Sequence, residues 1–300
     1  MTLGLVGVGK IGKGILRRLA AAGHTVQAFD SAAAARADIV AHGGRPVDSL
    51  ASLVMALTVP RIVWLMVPAP AVAEAVTALT PLLEPGDTVI DGGNSFFKET
   101  RQRAVVLAER GIRFIDAGVS GGVAGAEHGY ALMVGGEDKD IVAVKEVFAA
   151  LHAPEAFAHV GPSGAGHFVK MVHNAVEYGM MQAIGEGFAL LKSGPFPDIP
   201  LATVAQLWSQ GTIVRSFLME LTAKALARDA DLQDIAAYVE DSGEGRWSVS
   251  AAVEAAVPFW VNTAALYARF DSRTPEAFSA KLIAALRREF GGHAVKGKND

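Results

Sequence analysis

Five polar side chains stand close together in Gly166-His167-Phe168-Val169-Lys170-Met171-Val172-His173-Asn174-Ala175-Val176-Glu177-Tyr178-Gly179. Lys170, His173, Asn174, Glu177 and Tyr178 lie at i, i+3, i+4, i+7 and i+8, which on a helix is one stripe about two turns long. Phe168, Val169, Met171, Val172, Val176 and Met180 occupy the rest of the circumference. A narrow polar stripe in an otherwise apolar helix predicts a buried helix that faces a polar cavity. Burial disfavours an ammonium and brings a lysine toward the range where it can act as a base. A carboxylate and a phenol on the same stripe then complete an acid–base couple. The plainer alternative is an i,i+7 pair of solvated charges, with His173 and Asn174 as core or capping groups.

A second constellation opens the chain. Gly7-Val8-Gly9-Lys10-Ile11-Gly12 follows an apolar strand pattern and leads into a helical one. In that context Gly7 permits a tight turn, Gly9 lets a pyrophosphate approach the backbone, and Gly12 lets helix and strand pack closely. The helix N-terminus supplies N–H groups and partial positive charge to phosphates. Asp30, eighteen residues beyond Gly12, ends the second strand. A carboxylate there accepts hydrogen bonds from ribose hydroxyls and repels a 2′-phosphate, which favours NAD over NADP. The alternative is that Asp30 only caps the next helix. Gly7, Gly9, Lys10, Ile11, Gly12, Asp30, Val67 and Asn94 are the expected cofactor contacts.

These sites need elements to hold them. Leu3 to Val8, Thr25 to Phe29, Arg61 to Val67, Thr88 to Ile90 and Arg113 to Ile115 read as strands. Ala-rich helical stretches such as Ile11 to Ala22 and Lys98 to Arg110 lie between them. The alternation predicts an α/β chain whose first half is a Rossmann-type, doubly wound, mostly parallel sheet. A hairpin-like Tyr130 to Val134 follows, then a helix from about Asp138. Beyond Gly161-Pro162-Ser163-Gly164 the pattern is helical throughout, so the expected domains are 1–162 and an all-α 163–300.

Composition removes other classes. Of 300 residues, 51% are hydrophobic and 19% charged, which is a globular chain with a large core. Lys+Arg number 27 against 31 Asp+Glu, net −4 without like-charge runs, so no broad nucleic-acid face is expected. The absence of cysteine excludes a disulfide scaffold, a thiolate zinc site and a cysteine nucleophile. Ile199 to Val214, the longest uncharged stretch, contains Thr203, Gln206, Ser209, Gln210 and Thr212 and is no membrane span. The first residues lack a signal-peptide pattern, and a soluble cytoplasmic protein is expected. No metal is expected: Asp229, Asp231 and Asp234 read as a solvated helix start.

On Asp91-Gly92-Gly93-Asn94-Ser95, Gly118-Val119-Ser120-Gly121-Gly122 and the Gly166 to Gly179 stretch, the chain resembles 6-phosphogluconate dehydrogenase (decarboxylating), in a short form. The likeness extends over almost the whole chain. The resemblance implies that Lys170 takes the C3 hydroxyl proton while hydride leaves for the nicotinamide. Protonated Lys170 then polarises the ketone during decarboxylation, and Glu177 protonates C1 of the enediol. Asn94, Ser120, Gly121, Gly122, His173 and Asn174 would hold the sugar-acid hydroxyls and carboxylate, and Tyr178 the phosphate. An ammonium as electron sink removes the need for a metal.

Tyr267-Ala268-Arg269 matches the family's phosphate arginine. In Arg287-Arg288-Glu289-Phe290-Gly291-Gly292-His293, the resemblance makes Arg287 and His293 the pair that a neighbouring subunit lends to the site, so a homodimer or homotetramer is implied. A guanidinium suits a phosphate dianion through its fork geometry. Two departures stand out. Ser242 occupies the place of a family lysine, unless Arg246 replaces that cation, and a second set of helices found in the long form is missing. The rival reading is a β-hydroxyacid dehydrogenase for a small unphosphorylated acid, which leaves Arg269, Arg287 and His293 unexplained. A catalytically dead nucleotide-binding module is a third, and it leaves the Lys170–Glu177 stripe without a purpose.

Overall fold

The computed structural model describes residues 1–196, 198–274, 277–291 and 294, with side chains of the last helix described through Glu289. The chain begins β1 (Thr2–Val6), α1 (Lys10–Ala21), β2 (Thr25–Phe29), α2 (Ala33–Ala37), β3 (Arg45–Pro46), α3 (Leu50–Met55) and β4 (Ile62–Leu65). It continues α4 (Ala69–Leu79), β5 (Thr88–Asp91), α5 (Phe97–Ala108), β6 (Arg113–Ser120), α6 (Gly125–His128) and β7 (Tyr130–Gly135). Then come α7 (Asp138–Ala143), α8 (Lys145–Leu151), β8 (His152–Gly161) and the long α9 (Ala165–Ser193). The described elements that follow are all helices: α10 (Leu201–Trp208), α11 (Phe217–Arg228), α12 (Glu244–Glu254), α13 (Trp260–Asp271) and α14 (Phe278–Gly291). Two compact units result, Met1–Asn174 and Ala175–Asp300.

In the first unit, eight strands form one sheet in the order β3-β2-β1-β4-β5-β6-β7-β8. Only β6 and β7 pair antiparallel; the other neighbours are parallel. Strand order reverses between β1 and β4, so the glycine loop after β1 sits at the topological switch point where such sheets bind ligands. Side chains alternate between faces. Leu3, Leu5, Ile62, Trp64 and Ile90 enter one buried cluster, while Val6, Val63, Leu65 and Val89 enter another. A sheet buried on both faces is what near-continuous apolar strands require.

Two strands escape the sequence pattern. β3 is only two residues long, and β8 reads His-Ala-Pro-Glu-Ala-Phe-Ala-His-Val-Gly, with a proline and few β-branched residues. Both sit at sheet edges, where proline and irregular register are tolerated. β6 runs to Ser120, beyond the expected Ile115, because its second half pairs with β7.

In the second unit, Phe188, Ala205, Met219, Ala223 and Leu226 form one small core, and Tyr178, Ala265 and Leu266 another. No helix starts at Asp229. α11 ends at Arg228, and the Asp229 carboxylate accepts from the N–H groups of Asp231 and Gln233, which closes a turn instead. Asp231 pairs with Lys192 at 2.8 Å. Among the described residues, no helix is long and apolar enough to cross a membrane.

Candidate active site

Gly7 stands at φ +96, and a Cβ on it would lie 2.4 Å from the Met66 carbonyl oxygen, so only glycine fits the turn. A Cβ on Gly12 would come 2.2 Å from the Gly7 oxygen, which accounts for close packing of α1 on the loop. Around Gly9, by contrast, a Cβ would meet nothing within 4 Å. Gly9 is the N-cap of α1 and places no side chain over its first N–H groups, and no acid stands in the first turn. That open, amide-lined end fits a pyrophosphate. Val67 lies beside both Gly7 and Gly93, while Lys10 is exposed and Ile11 half-buried. The Asp30 carboxylate accepts from Val8 N–H at 2.7 Å and Ala32 N–H at 2.8 Å. It thereby ties the glycine loop to the start of α2, and both the capping reading and the ribose reading share this position.

The Asp91-to-Ser95 turn follows β5. One Asp91 carboxylate oxygen accepts from Gly93 N–H at 3.1 Å and the other from the Ser95 hydroxyl at 2.8 Å. Asp91 and Ser95 are buried while Asn94, held between those two bonds, is exposed. The motif therefore presents one amide to solvent from a fixed turn.

Lys170 sits on α9 against β6. Its side chain is 7% exposed and Asn174 is 9% exposed. Lys170 Nζ lies 3.4 Å from His173 Nδ1, which lies 3.2 Å from Asn174 Oδ1; His173 Nε2 is 3.4 Å from Ser120 Oγ. Four of the expected residues are thus brought together within the first unit, and Gly121 and Gly122 follow Ser120 directly in an exposed turn. Gly118 has a contact role: a Cβ there would lie 2.4 Å from Lys170 Cβ.

The expectation of a helix buried all round fails. Phe168, Val169, Val176 and Met180 are 37–46% exposed, while Lys170, Asn174 and Tyr178 are turned inward. Met171 and Ala175 are buried beside them, so the apolar residues of the helix divide between the core and the surface.

In the second unit, the Arg269 guanidinium stacks 3.4 Å above the centroid of the buried Tyr178 ring, and its Nη1 donates to the Glu240 carbonyl at 2.6 Å. Glu177 is half-buried. Ser242, the departure from the family lysine, donates to Glu244 at 2.6 Å. Arg246 donates to Asp241 through Nε and Nη2 at 2.6 and 3.1 Å, and Arg273 donates to the same carboxylate at 2.7 Å. Hydrogen bonds from Arg246 and then Arg273 hold the Asp241 carboxyl at about 2. The sequence reading missed Asp241 and Arg273 because 32 positions separate them and no local spacing joins them. Arg287 is exposed on α14, and His293 lies outside the described residues. Among the described residues, no three carboxylate or imidazole groups cluster as a metal site.

The doubly wound sheet, its switch-point glycine loop and the helical second half define a Rossmann-type, NAD-binding oxidoreductase. Residues 2–161 match the NAD binding domain of 6-phosphogluconate dehydrogenase, and residues 166–277 match its C-terminal domain. The chain belongs to the 6-phosphogluconate dehydrogenase family. It is 43% identical over 303 residues to the NAD(+)-dependent, decarboxylating 6-phosphogluconate dehydrogenase of Haloferax volcanii, covering all of both chains. It is 40% identical over 298 residues to the putative 6-phosphogluconate dehydrogenase YqeC of Bacillus subtilis, covering 99% of this chain and 100% of that one. Among solved structures, the Plasmodium falciparum 6-phosphogluconate dehydrogenase superposes with a TM-score of 0.83 at 28% identity. That match covers 100% of this chain and 67% of the other, whose cofactor is NADP+.

Proposed function

We propose that this chain is an NAD-dependent, metal-independent enzyme that oxidatively decarboxylates 6-phosphogluconate to ribulose 5-phosphate and CO2. The observation that carries the reading is the inward lysine: Lys170, 7% exposed, lies 3.4 Å from His173, whose ring in turn lies 3.4 Å from Ser120 of β6. Gly7, Gly9, Lys10, Ile11, Gly12, Val67 and Asn94 would hold the dinucleotide, with Asp30 on the adenosine ribose. Bound there, the nicotinamide would accept the hydride from C3.

Lys170 takes the proton of the C3 hydroxyl as that carbon is oxidised. The resulting ammonium stands beside the new ketone and draws electron density from it as the carboxylate leaves as CO2. Asn94, Ser120, Gly121, Gly122, His173 and Asn174 bind hydroxyls and carboxylate. Glu177, seven residues along the same helix, gives its proton to the terminal carbon of the resulting enediolate, which becomes C1 of the product. Tyr178 and Arg269 bind the phosphate, joined by Arg287 and His293 from a second copy of the chain. The exposed apolar residues of α9 support a homo-oligomer in which such a copy covers them. Residues 1–162 serve the cofactor and 163–300 the substrate and assembly, in the cytoplasm.

The test is initial-rate NADH formation with 6-phosphogluconate, with trapping of CO2 and a parallel run with NADP. NADH and CO2 in equal amounts are expected. No reduction with either cofactor would overturn the assignment in favour of an unphosphorylated β-hydroxy acid.

A further inference from the structure

We propose that His167, with Thr100, is a positioning residue that locks the Asn94 turn to the helical turn carrying Lys170. The proposal rests on the roles given above to Asn94 and Lys170, and it concerns a side chain that touches neither substrate nor cofactor.

His167 is 1% exposed and Thr100 0%. His167 Nε2 lies 3.1 Å from the Asp91 carbonyl oxygen. A carbonyl can only accept, so Nε2 carries the hydrogen; in the neutral ring, Nδ1 is then an acceptor. The Thr100 hydroxyl lies 2.8 Å from that Nδ1 and 3.2 Å from the Phe96 carbonyl, and its single hydrogen goes to the nearer atom. The backbone of the same residue is held too. His167 N–H donates to one oxygen of the fully buried Asp116 at 2.8 Å, and Gly164 N–H donates to the other at 2.6 Å.

One imidazole thus joins the end of β5, the first turn of α5 and the first turn of α9. From Asp91 the chain of bonds continues outward, since its carboxylate grips Gly93 and Ser95 on either side of Asn94. From His167 it continues along the helix, since Lys170 is the next residue on that face. Reacting groups must be held to a fraction of an ångström, and a displacement of about 1 Å costs about a hundredfold in rate. A rigid bridge between the exposed amide and the base is therefore a kinetic device as well as a packing one.

The test compares Thr100→Val, which keeps shape and removes the hydroxyl, with Thr100→Ser, which keeps the hydroxyl, and adds His167→Gln. For each, kcat per folded protein, the NAD Kd, the melting temperature and the isotope effect with C3-deuterated 6-phosphogluconate are measured. The expected result is a fall in kcat of about 10–100-fold for Thr100→Val and His167→Gln. NAD Kd should stay within about twofold, the isotope effect should be no smaller than that of the unaltered enzyme, and Thr100→Ser should restore most of the rate. If His167→Gln does not fold, the threonine pair decides. A lower melting temperature with kcat unchanged, or equal losses in Thr100→Ser and Thr100→Val, would overturn the proposal. Lys170→Met separates the premises: turnover surviving there would defeat the role of Lys170 itself, whereas a dead Lys170→Met beside a normal Thr100→Val defeats only the bridge.

Discussion

Gly118 and Lys170 meet at closer than side-chain distance: a Cβ on Gly118 would sit 2.4 Å from Lys170 Cβ and 3.0 Å from the Gly166 carbonyl oxygen. The first glycine of Gly118-Val119-Ser120-Gly121-Gly122 therefore sets how near α9 can lie to β6, and with it the depth of the lysine. Gly118→Ala is expected to cost about 1–3 kcal/mol through overpacking. It should also lower kcat more than tenfold, as Lys170, the proposed base, is pushed back by tenths of an ångström. Chemical denaturation and steady-state rates on the same preparation check both.

Lys170→Met should leave NAD affinity within about twofold and abolish NADH formation, a loss of at least about a thousandfold. Calorimetric titration with NAD and single-turnover absorbance at saturating substrate separate the two. Substantial remaining turnover would remove Lys170 as the base.

Asp30 holds the Val8 turn, and its proposed second role is to bind the adenosine ribose. Asp30→Ala is expected to weaken NAD binding about 10–100-fold, the worth of one or two hydrogen bonds to a charged acceptor. It should raise the NADP/NAD ratio of kcat/KM, because the carboxylate that repels a 2′-phosphate is gone. An unchanged ratio would leave Asp30 as a cap alone.

Arg269, stacked on Tyr178, should discriminate phosphate from hydroxyl. Arg269→Ala is expected to raise KM for 6-phosphogluconate about a hundredfold through loss of a charge-assisted pair. The effect on gluconate oxidation should be small. Equal effects on both substrates would argue against contact with phosphate.

Asp241 makes stability depend on acid. Its folded value of about 2 lies below the ordinary 3.8, so the ionised form is stabilised by folding. That contribution is present above pH 3.8 and is lost as pH falls through about 2. Because Arg246 is 56% exposed, about 1–2 kcal/mol is expected after solvent screening. Asp241→Asn should lower the denaturation midpoint at pH 7 and reduce its decline between pH 4 and pH 2, read by urea unfolding across that range.

Local periodicity was enough for α1, α5 and the inner strands, because an apolar run between glycine turns has one compact use in a parallel sheet. The glycine loop and the Lys170-to-Tyr178 stripe were legible for the same reason: their meaning lies in spacing along one element. The exposure of Phe168 and Val176 was not. A pattern of narrow polar and broad apolar faces states which residues share a side, and only packing against β6 turns Lys170 and Asn174 inward while Phe168 and Val176 stay outside.

The sequence by itself determined the order of the inner strands, the residue types of the site and the family motifs that carry them. Tertiary structure decided what long-range pairing alone can decide. It made an antiparallel extension of β6 carry Ser120 to His173, placed His167 between Thr100 and Asp91, and gathered Arg246 and Arg273 on Asp241. Each of these joins residues from 5 to 76 positions apart. Hydrogen bonds and ion pairs form between whatever the folded backbone brings within about 3 Å, and most of those separations leave no period in the sequence to be read.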